Sequence, residues 1–240
     1  VSVLVVTGTG TGVGKTVVTA AVAALAHARG WPVAVVKPAQ TGVGPGEDGD
    51  LAEVTRLSGV TDVHEYARFP SPLSPAAAAR ADGLPPPDLA AAARSVRDLA
   101  ADRRLVLVEG AGGLLVRFDP DGATLADLAV RLRAQVLVVT AAGLGTLNHT
   151  ALTCEAIAHR GLELAGVVIG SWPREPDLAA RSNLVDLETI SARPLAGALP
   201  AGLGTVSPDA FLVAAHAGLA PHLGGVFAPA HFRAAAGPQG

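Results

Sequence analysis

The sequence predicts a single α/β domain: a mostly parallel β-sheet with helices on both faces. Three observations predict it. Short apolar runs of strand length alternate with alanine-rich helical patterns along the chain, as strand–helix–strand units around a buried parallel sheet require. The first run is followed by a glycine-rich turn and then by Lys15-Thr16 at the head of a helical pattern, the setting of a phosphate-binding loop. The chain has 240 residues, half of them hydrophobic, enough for one ample core. There is no internal repeat and no linker long enough to divide it. Residues 1–220 are read as one domain, and the Ala/Pro/Gly-rich stretch 221–240 as a tail that packs poorly.

The elements follow in order. Val3–Thr16, VLVVTGTGTGVGKT, ends a strand near Val6 and opens a helix near Lys15. Glycines let the backbone curl and turn successive N–H groups inward as a nest for anions. The helix adds its free N–H groups and the positive end of its dipole. Lys15 can reach the outer phosphates of a nucleotide, and the Thr16 hydroxyl is placed to ligate Mg²⁺. Gly8 and Gly14 are separated by five residues, one more than usual, and Thr9 stands where the usual pattern has glycine. The dinucleotide fingerprint GxGxxG fails in both frames, at Val13 and at Lys15, and Lys37 stands where a ribose-binding acid would close the second strand. This is a phosphate loop with a lengthened turn.

The helix runs to about Arg29 and stops at Gly30. Val33–Lys37 is the second strand, ended by Pro38. Gly42–Asp50 is an acidic, glycine-rich loop of mobile character. Asp50 opens the helical spacing Leu51, Val54, Leu57, where it serves either as an N-cap or as a carboxylate facing the metal at Thr16. Glu47 or Asp48 could take the second role. Phe69–Pro75 is a rigid, turn-rich segment. Helices follow at Ala76–Ala81 and Asp88–Ala101, with Pro85–Pro87 between them. The apolar run Leu105–Val108 leads into Glu109-Gly110-Ala111-Gly112-Gly113. A carboxylate ending a buried strand beside a glycine turn suits the Mg²⁺ side of a nucleotide-hydrolysing site. Thr124–Arg133 is a helix, Val136–Thr140 a strand, Ala141–Thr146 a small-residue loop and Leu147–Arg160 a helix. The N–H groups of Gly145 to Asn148 can hold a carboxylate. Leu164–Ile169 is a strand ending at Gly170-Ser171, Leu178–Ile190 a helix, Leu195–Leu199 a strand turning at Pro200-Ala201-Gly202, and Pro208–Leu219 the last helix. All the polar features named fall at the carboxyl ends of strands, where open α/β sheets bind ligands.

Composition excludes other classes. Net charge is −3 and aromatics make up 3%, which argues against a nucleic-acid surface. One cysteine, Cys154, permits neither an internal disulfide nor a zinc cluster, and in a helical pattern it reads as a small core residue. No apolar run reaches membrane-span length and none resembles a signal-peptide core, so a cytoplasmic protein without membrane partners is expected. Lysine occurs only at 15 and 37, against 16 arginines. Where Arg would serve, Arg is used, so both lysines point to sites that need a compact ammonium.

TGTGTGVGKT (7–16), KPAQTG (37–42), DGDLAE (48–53), VEGAGGLLV (108–116), GLGTLNHT (143–150) and ALPAG (198–202) together resemble the dethiobiotin synthases of the P-loop NTPase superfamily. The resemblance implies Mg²⁺- and ATP-dependent (or other NTP-dependent) joining of CO₂ or bicarbonate to 7,8-diaminopelargonic acid, closing a cyclic urea in biotin synthesis. It implies that Gly12, Val13, Gly14, Lys15, Thr16 and Val17 cradle the phosphates, with Lys15 on the β/γ oxygens. Gly110, Ala111 and Gly112 lie beside them. Lys37 would hold the carbamate and γ-phosphate together. Thr16, Asp50 and Glu109 would hold Mg²⁺, and Thr11 and Thr41 would contact the diamine or carbamate. The protein would be a homodimer in which Leu144, Gly145, Thr146, Leu147 and Asn148 of the second subunit take the substrate carboxylate. Gly170, Ser171, Pro200, Ala201 and Gly202 would flank the base. The chain departs from the pattern twice: many relatives carry Glu at Gly12, and many carry a base-reading Asn at Gly170.

Two other readings remain open at this stage. One is a nucleotide switch of the partition or iron-protein type. Such proteins usually carry a second loop lysine where Gly10 stands. The other is a carboxylate-amidating relative, which would bring a nucleophilic cysteine.

Overall fold

Strands form where the sequence has continuous apolar runs, because each is buried on both faces. The computed structural model of the protein describes residues 2–236. The elements are β1 (Ser2–Gly8), α1 (Lys15–Ala28), β2 (Val33–Lys37), β3 (Gln40–Thr41), α2 (Asp50–Ser58), β4 (Val63–Glu65), β5 (Arg68–Phe69), α3 (Pro75–Asp82), α4 (Leu89–Asp102) and β6 (Leu105–Gly113). They continue with α5 (Leu125–Leu132), β7 (Gln135–Thr140), α6 (Thr146–His159), β8 (Leu164–Trp172), α7 (Leu178–Ser191), β9 (Gly197–Pro200), α8 (Pro208–Gly218) and α9 (Pro229–Ala236). Seven strands form one sheet in the order β4-β2-β6-β1-β7-β8-β9, and every pairing is parallel.

Side chains alternate between the two faces of the sheet. Val5, Val106, Val108, Val136 and Val138 pack into one core with α4, α5 and α7. Leu4, Val6, Leu105, Leu107 and Val139 pack into the other with α1, α2 and α8. Burying one such side chain contributes roughly 1.5–3 kcal/mol, so neither face tolerates a register slip. Side-chain caps set several of the helix starts: Asp88 accepts from Ala91 N, Asp177 accepts from Ala180 N, and Thr124 and Asp127 form a reciprocal box.

The order of the sheet positions the site. After β1 the chain crosses to β2 on one side, and β7 and β8 build the other, so the strand order reverses at β1. The loop after β1 therefore emerges in the crevice where ligands bind. Register then sets depth. Val6 lies level with Glu109, and Val36 lies level with Val108, which sets Lys37 beside Glu109.

Two features differ from the sequence expectation. The edge strand β4 and the two-residue pair β3–β5 have no periodic signal, because they are short and half-polar. The stretch from Pro221 was expected to pack poorly, and up to residue 236 it does not. Leu223 and Phe227 are buried, and Phe232 stands edge-on to Trp172 at 5.1 Å and tilted against Phe227. Arg233 on α9 pairs with Glu188 on α7. Spaced aromatics among small residues anchor this segment, although its average composition resembles a tail. Residues 237–240 lie outside the described residues.

Candidate active site

The loop after β1 is a compact anion cradle. Gly12 and Gly14 have φ of 75° and 96°, the left-handed region that favours glycine. Gly14 also lies against β8: a Cβ there would come 2.7 Å from the Gly170 carbonyl oxygen. Thr9 N–H donates to Val139 O at 2.9 Å, which ties the loop to β7. Lys15 is the first residue of α1, and its Nζ donates to Gly10 O at 3.0 Å, curled over its own loop. A cavity of about 600 Å³ opens beside this loop and reaches Lys37, Thr41 and Asp50.

The floor of the cleft is a buried charge cluster. Lys37 is 2% exposed and Glu109 is fully buried. Lys37 Nζ donates to Glu109 Oε1 at 2.8 Å and to Gly110 O at 3.2 Å, and it sits 2.5 Å from Asp50 Oδ2. Thr16 Oγ1 donates to the same Glu109 Oε1 at 3.0 Å. Burial by itself lowers the pKa of Lys37, but Glu109 and then Asp50 outweigh it and hold the ammonium above the usual lysine value. Lys15 shifts the other way. Burial and then the charge of Lys37 lower its pKa, and Glu109 and Asp50 oppose them only in part.

Asp50 is half-exposed. It is not the N-cap of α2. Gly49 holds that position, and Asp50 is the first helical residue. Its own N–H donates to Gln40 Oε1 at 2.9 Å, which leaves its carboxylate free to reach Lys37. Glu47 instead accepts from Gly44 N within its own turn, and Asp48 is exposed. Arg68 donates to the carbonyl oxygens of Gly44 and Glu47, so the acidic loop is pinned at several points. Sequence reasoning missed Gln40 and Arg68. Gln40 was legible within KPAQTG. Arg68 carries no local signal, since its role depends on the β3–β5 pairing.

The residues fit a hard divalent cation. Glu109 Oε2 is buried with no hydrogen-bond partner among the described residues, a costly state unless something else satisfies the oxygen. The donors nearby are a hydroxyl and carboxylates, the oxygen set that Mg²⁺ takes together with phosphates. Among the described residues, no group of three or more His, Cys, Asp or Glu forms a self-sufficient metal cage, and a magnesium held largely by substrate phosphates needs none.

The other expected residues lie on the same edge of the sheet but outside this cavity. Gly170 is buried directly behind the phosphate loop, where any Cβ would collide with the Val13 carbonyl oxygen. Ser171 is exposed. Ala201 N donates to Trp172 O at 2.8 Å, so the 200–202 turn is tied to the end of β8. Leu144 is 93% exposed at the tip of the 141–145 loop. Gly145 caps α6, and Asn148 and His149 lie exposed in its first turn. Cys154 is half-buried against the core, and burial raises its thiol pKa, the profile of a packing residue and not of a nucleophile.

Comparison with known proteins decides among the readings. A family model described as an AAA domain matches residues 2–208. The ATP-dependent dethiobiotin synthetase of Parafrankia sp. (strain EAN1pec) is 67% identical over 232 residues, 97% of this chain and 98% of that protein. The chain belongs to the dethiobiotin synthetase family. The family member of Streptomyces coelicolor is 61% identical over 225 residues, 94% of each chain. Solved structures similar in fold include the cell division ATPase MinD of Pyrococcus furiosus, with a TM-score of 0.51 at 18% identity, covering 89% of this chain and 96% of that one. A ParA family ATPase from Chlorobium tepidum gives 0.53 at 13% identity, covering 89% and 88%. These two share the P-loop NTPase fold. The identities weigh against the nucleotide-switch reading and for the synthetase family.

Proposed function

We propose that this chain is an ATP- or other NTP-dependent ligase of biotin biosynthesis. It joins CO₂ to 7,8-diaminopelargonic acid and closes the cyclic urea of dethiobiotin. Identity above 60% to dethiobiotin synthetases over nearly the full chain supports the reaction. The observation that carries the chemistry is the buried Lys37 ammonium, set between Glu109 and Asp50 beside the phosphate loop.

One amine of the substrate takes up CO₂, loses a proton and becomes a carbamate. A carbamate oxygen then attacks the γ-phosphorus, the bond to the bridging oxygen breaks, and nucleoside diphosphate leaves. The second amine attacks the carbamoyl carbon of the resulting carbamic–phosphoric anhydride, expels phosphate, loses a proton and closes the ring. Most of the enzyme's contribution is positioning and charge balance. Gly12 to Val17 wrap the phosphates, and Lys15 leaves the Gly10 carbonyl for the β/γ oxygens. Lys37 neutralises charge as the carbamate oxygen meets the γ-phosphate. Thr16, Glu109 and Asp50 would hold Mg²⁺, which would supply neutralisation of the triphosphate's charge. Thr11 and Thr41 contact the diamine or carbamate.

The protein acts as a homodimer, with residues 144–148 of the second subunit receiving the substrate carboxylate on a helix N-terminus. The exposure of Leu144 beside that terminus supports an interface there. Gly170, Ser171 and Pro200 to Gly202 flank the base. With no side chain at 170, backbone groups read it, and selectivity among bases is weak or altered.

The test is phosphate release from Mg²⁺-ATP, Mg²⁺-CTP and Mg²⁺-GTP, with and without bicarbonate and 7,8-diaminopelargonic acid. Release that needs both co-substrates, with a cyclic-urea product by mass, is expected. Release indifferent to the diamine would remove the ligase reading. A preference for ATP above about a hundredfold in kcat/KM, the scale of a specific hydrogen-bonding pattern, would remove weak base selectivity.

A further inference from the structure

The structure assigns Thr140 as a positioning residue: a buried hydroxyl hub that ties one subunit's phosphate loop to the loop and helix start that, in the proposed dimer, receive the substrate carboxylate at the other subunit's site. Thr140 ends β7 and is fully buried. Its Oγ1 lies 2.6 Å from Thr146 Oγ1, 2.8 Å from Thr150 Oγ1 and 3.3 Å from Thr9 Oγ1. Thr146 and Thr150 are themselves buried.

Proton bookkeeping fixes the direction of these bonds. A hydroxyl has one proton and two acceptor lone pairs. The carbonyl of Ala141 can only accept, so the Thr146 proton goes to it at 2.7 Å. Thr146 must then accept from Thr140, which uses the one Thr140 proton. Thr9 and Thr150 must both donate to Thr140, filling its two lone pairs. The hub is saturated, and one directed chain runs from Thr9 in the phosphate loop through Thr140 and Thr146 to the Ala141 carbonyl. Thr9 occupies the position where shorter phosphate loops have glycine, and its hydroxyl proton points at the hub.

The 141–145 loop is gripped from the other side as well. Asn183 on α7 is buried, and its Nδ2 donates to Ala142 O at 2.8 Å and to Gly143 O at 3.1 Å. Three successive carbonyls, of residues 141 to 143, are thus held by buried side chains. The tip that follows, Leu144, is the most exposed large hydrophobic residue described. A loop with so free a tip and so fixed a stem is preorganised to present the N–H groups of 145–148. Binding a carboxylate there without a further ordering cost is what such a stem provides. The inference rests on the proposed reading that these N–H groups take the diamine's carboxylate.

Thr140→Val, nearly isosteric, removes the hub, and Thr140→Ser restores it. Diamine affinity is read by calorimetry without turnover, alongside KM and kcat for each substrate. The expected result for Thr140→Val is a five- to twentyfold rise in the diamine Kd and KM, with the nucleotide KM within about twofold. Thr140→Ser returns the diamine values to within about twofold of the parent. Asn183→Asp, which loses the amide donor, is expected to shift the same parameter and carries the test should Thr140→Val fold poorly. Diamine affinity unchanged in both variants, or an equal loss in all parameters that serine does not rescue, overturns the assignment and leaves the ligase reading intact. A parent enzyme that neither binds the diamine nor needs it for phosphate release overturns both.

Discussion

The two sides of β1 are built from opposite chemistry. Toward β6 and β2 the loop faces buried charge: Lys37, Glu109 and half-exposed Asp50, with Lys15 above them. Toward β7 and α6 it faces neutral groups only, the hydroxyls of Thr140, Thr146 and Thr150 and the amide of Asn183. Apart from half-exposed Asp50 both sides are buried, so burial does not explain the difference. Ions cost several kcal/mol each to desolvate and shift one another's pKa. They are suited to the place where charge moves during phosphoryl transfer. Hydroxyls and amides hold geometry without changing charge over the physiological pH range, and they contribute dipoles and no net charge. Charge is thus confined to the side where the proposed reaction would neutralise an oxygen, and the other side is held by uncharged bonds.

The largest effect comes from breaking the charged side at its centre. Lys37→Gln is expected to lower kcat by about a hundredfold or more, as loss of a transition-state charge donor does, with nucleotide Kd within about threefold. Normal turnover in this variant would end the distinction between the two sides. Next is Glu109→Ala, which leaves half-exposed Asp50 as the remaining carboxylate partner of the buried Lys37 ammonium. The loss is expected to stay below the roughly 3–5 kcal/mol of an uncompensated buried charge, read as a lower urea midpoint. Nucleotide should also lose the extra thermal stabilisation that Mg²⁺ gives it in the parent.

A third measurement uses pH. Lys15 has its pKa lowered from 10.5 in the free protein, and a bound triphosphate favours its charged form. Nucleotide Kd should therefore be flat near neutrality and rise before pH 10.5, with a limiting slope of about one log unit per pH unit. Lys15→Gln should bind weakly with no such slope. Lys37 has the opposite sign. Its pKa is raised, so the stability it contributes is fully present below 10.5 and is lost only as pH climbs through the higher folded value. The neutral side predicts no slope at all: the ratio of diamine Kd between Thr140→Val and the parent should not change with pH. The smallest effect is expected at Glu47→Gln, less than twofold in the Mg²⁺ requirement, because Glu47 is spent on Gly44 N. A tenfold change would overturn the proposed assignment of the metal carboxylate to Asp50 and move it to Glu47.

The charged side was largely legible from residue types. Lys15-Thr16 follows a glycine turn, the only other lysine follows a strand, and Glu109 ends an apolar run. Each is a residue type that chemistry requires at a strand end. The neutral side was not legible. Thr140, Thr146 and Thr150 are ordinary threonines in sequence, and Asn183 is an ordinary polar residue inside a predicted helix. Their roles depend on distance across elements, such as Thr9 to Thr140, 131 positions apart. Asp50 falls between the two cases. It was one of three carboxylates that the acidic loop offered, and it is the one that meets Lys37, with Gln40 accepting from its N–H and Arg68 holding the loop. The segment after Pro221 was misread because average composition hides two anchoring aromatics.

The sequence by itself determined the alternation of strands and helices, the phosphate loop, the two lysines and the glutamate at the end of an apolar strand, because local geometry and residue chemistry dictate them. Only the tertiary structure decided which of the acidic loop's carboxylates meets Lys37. It alone decided that residue 170 must lack a side chain, and that four hydroxyls and an amide fix the stem of the 141–145 loop. Parallel register and strand order bring distant residues to hydrogen-bonding distance, and no local pattern encodes which ones will meet.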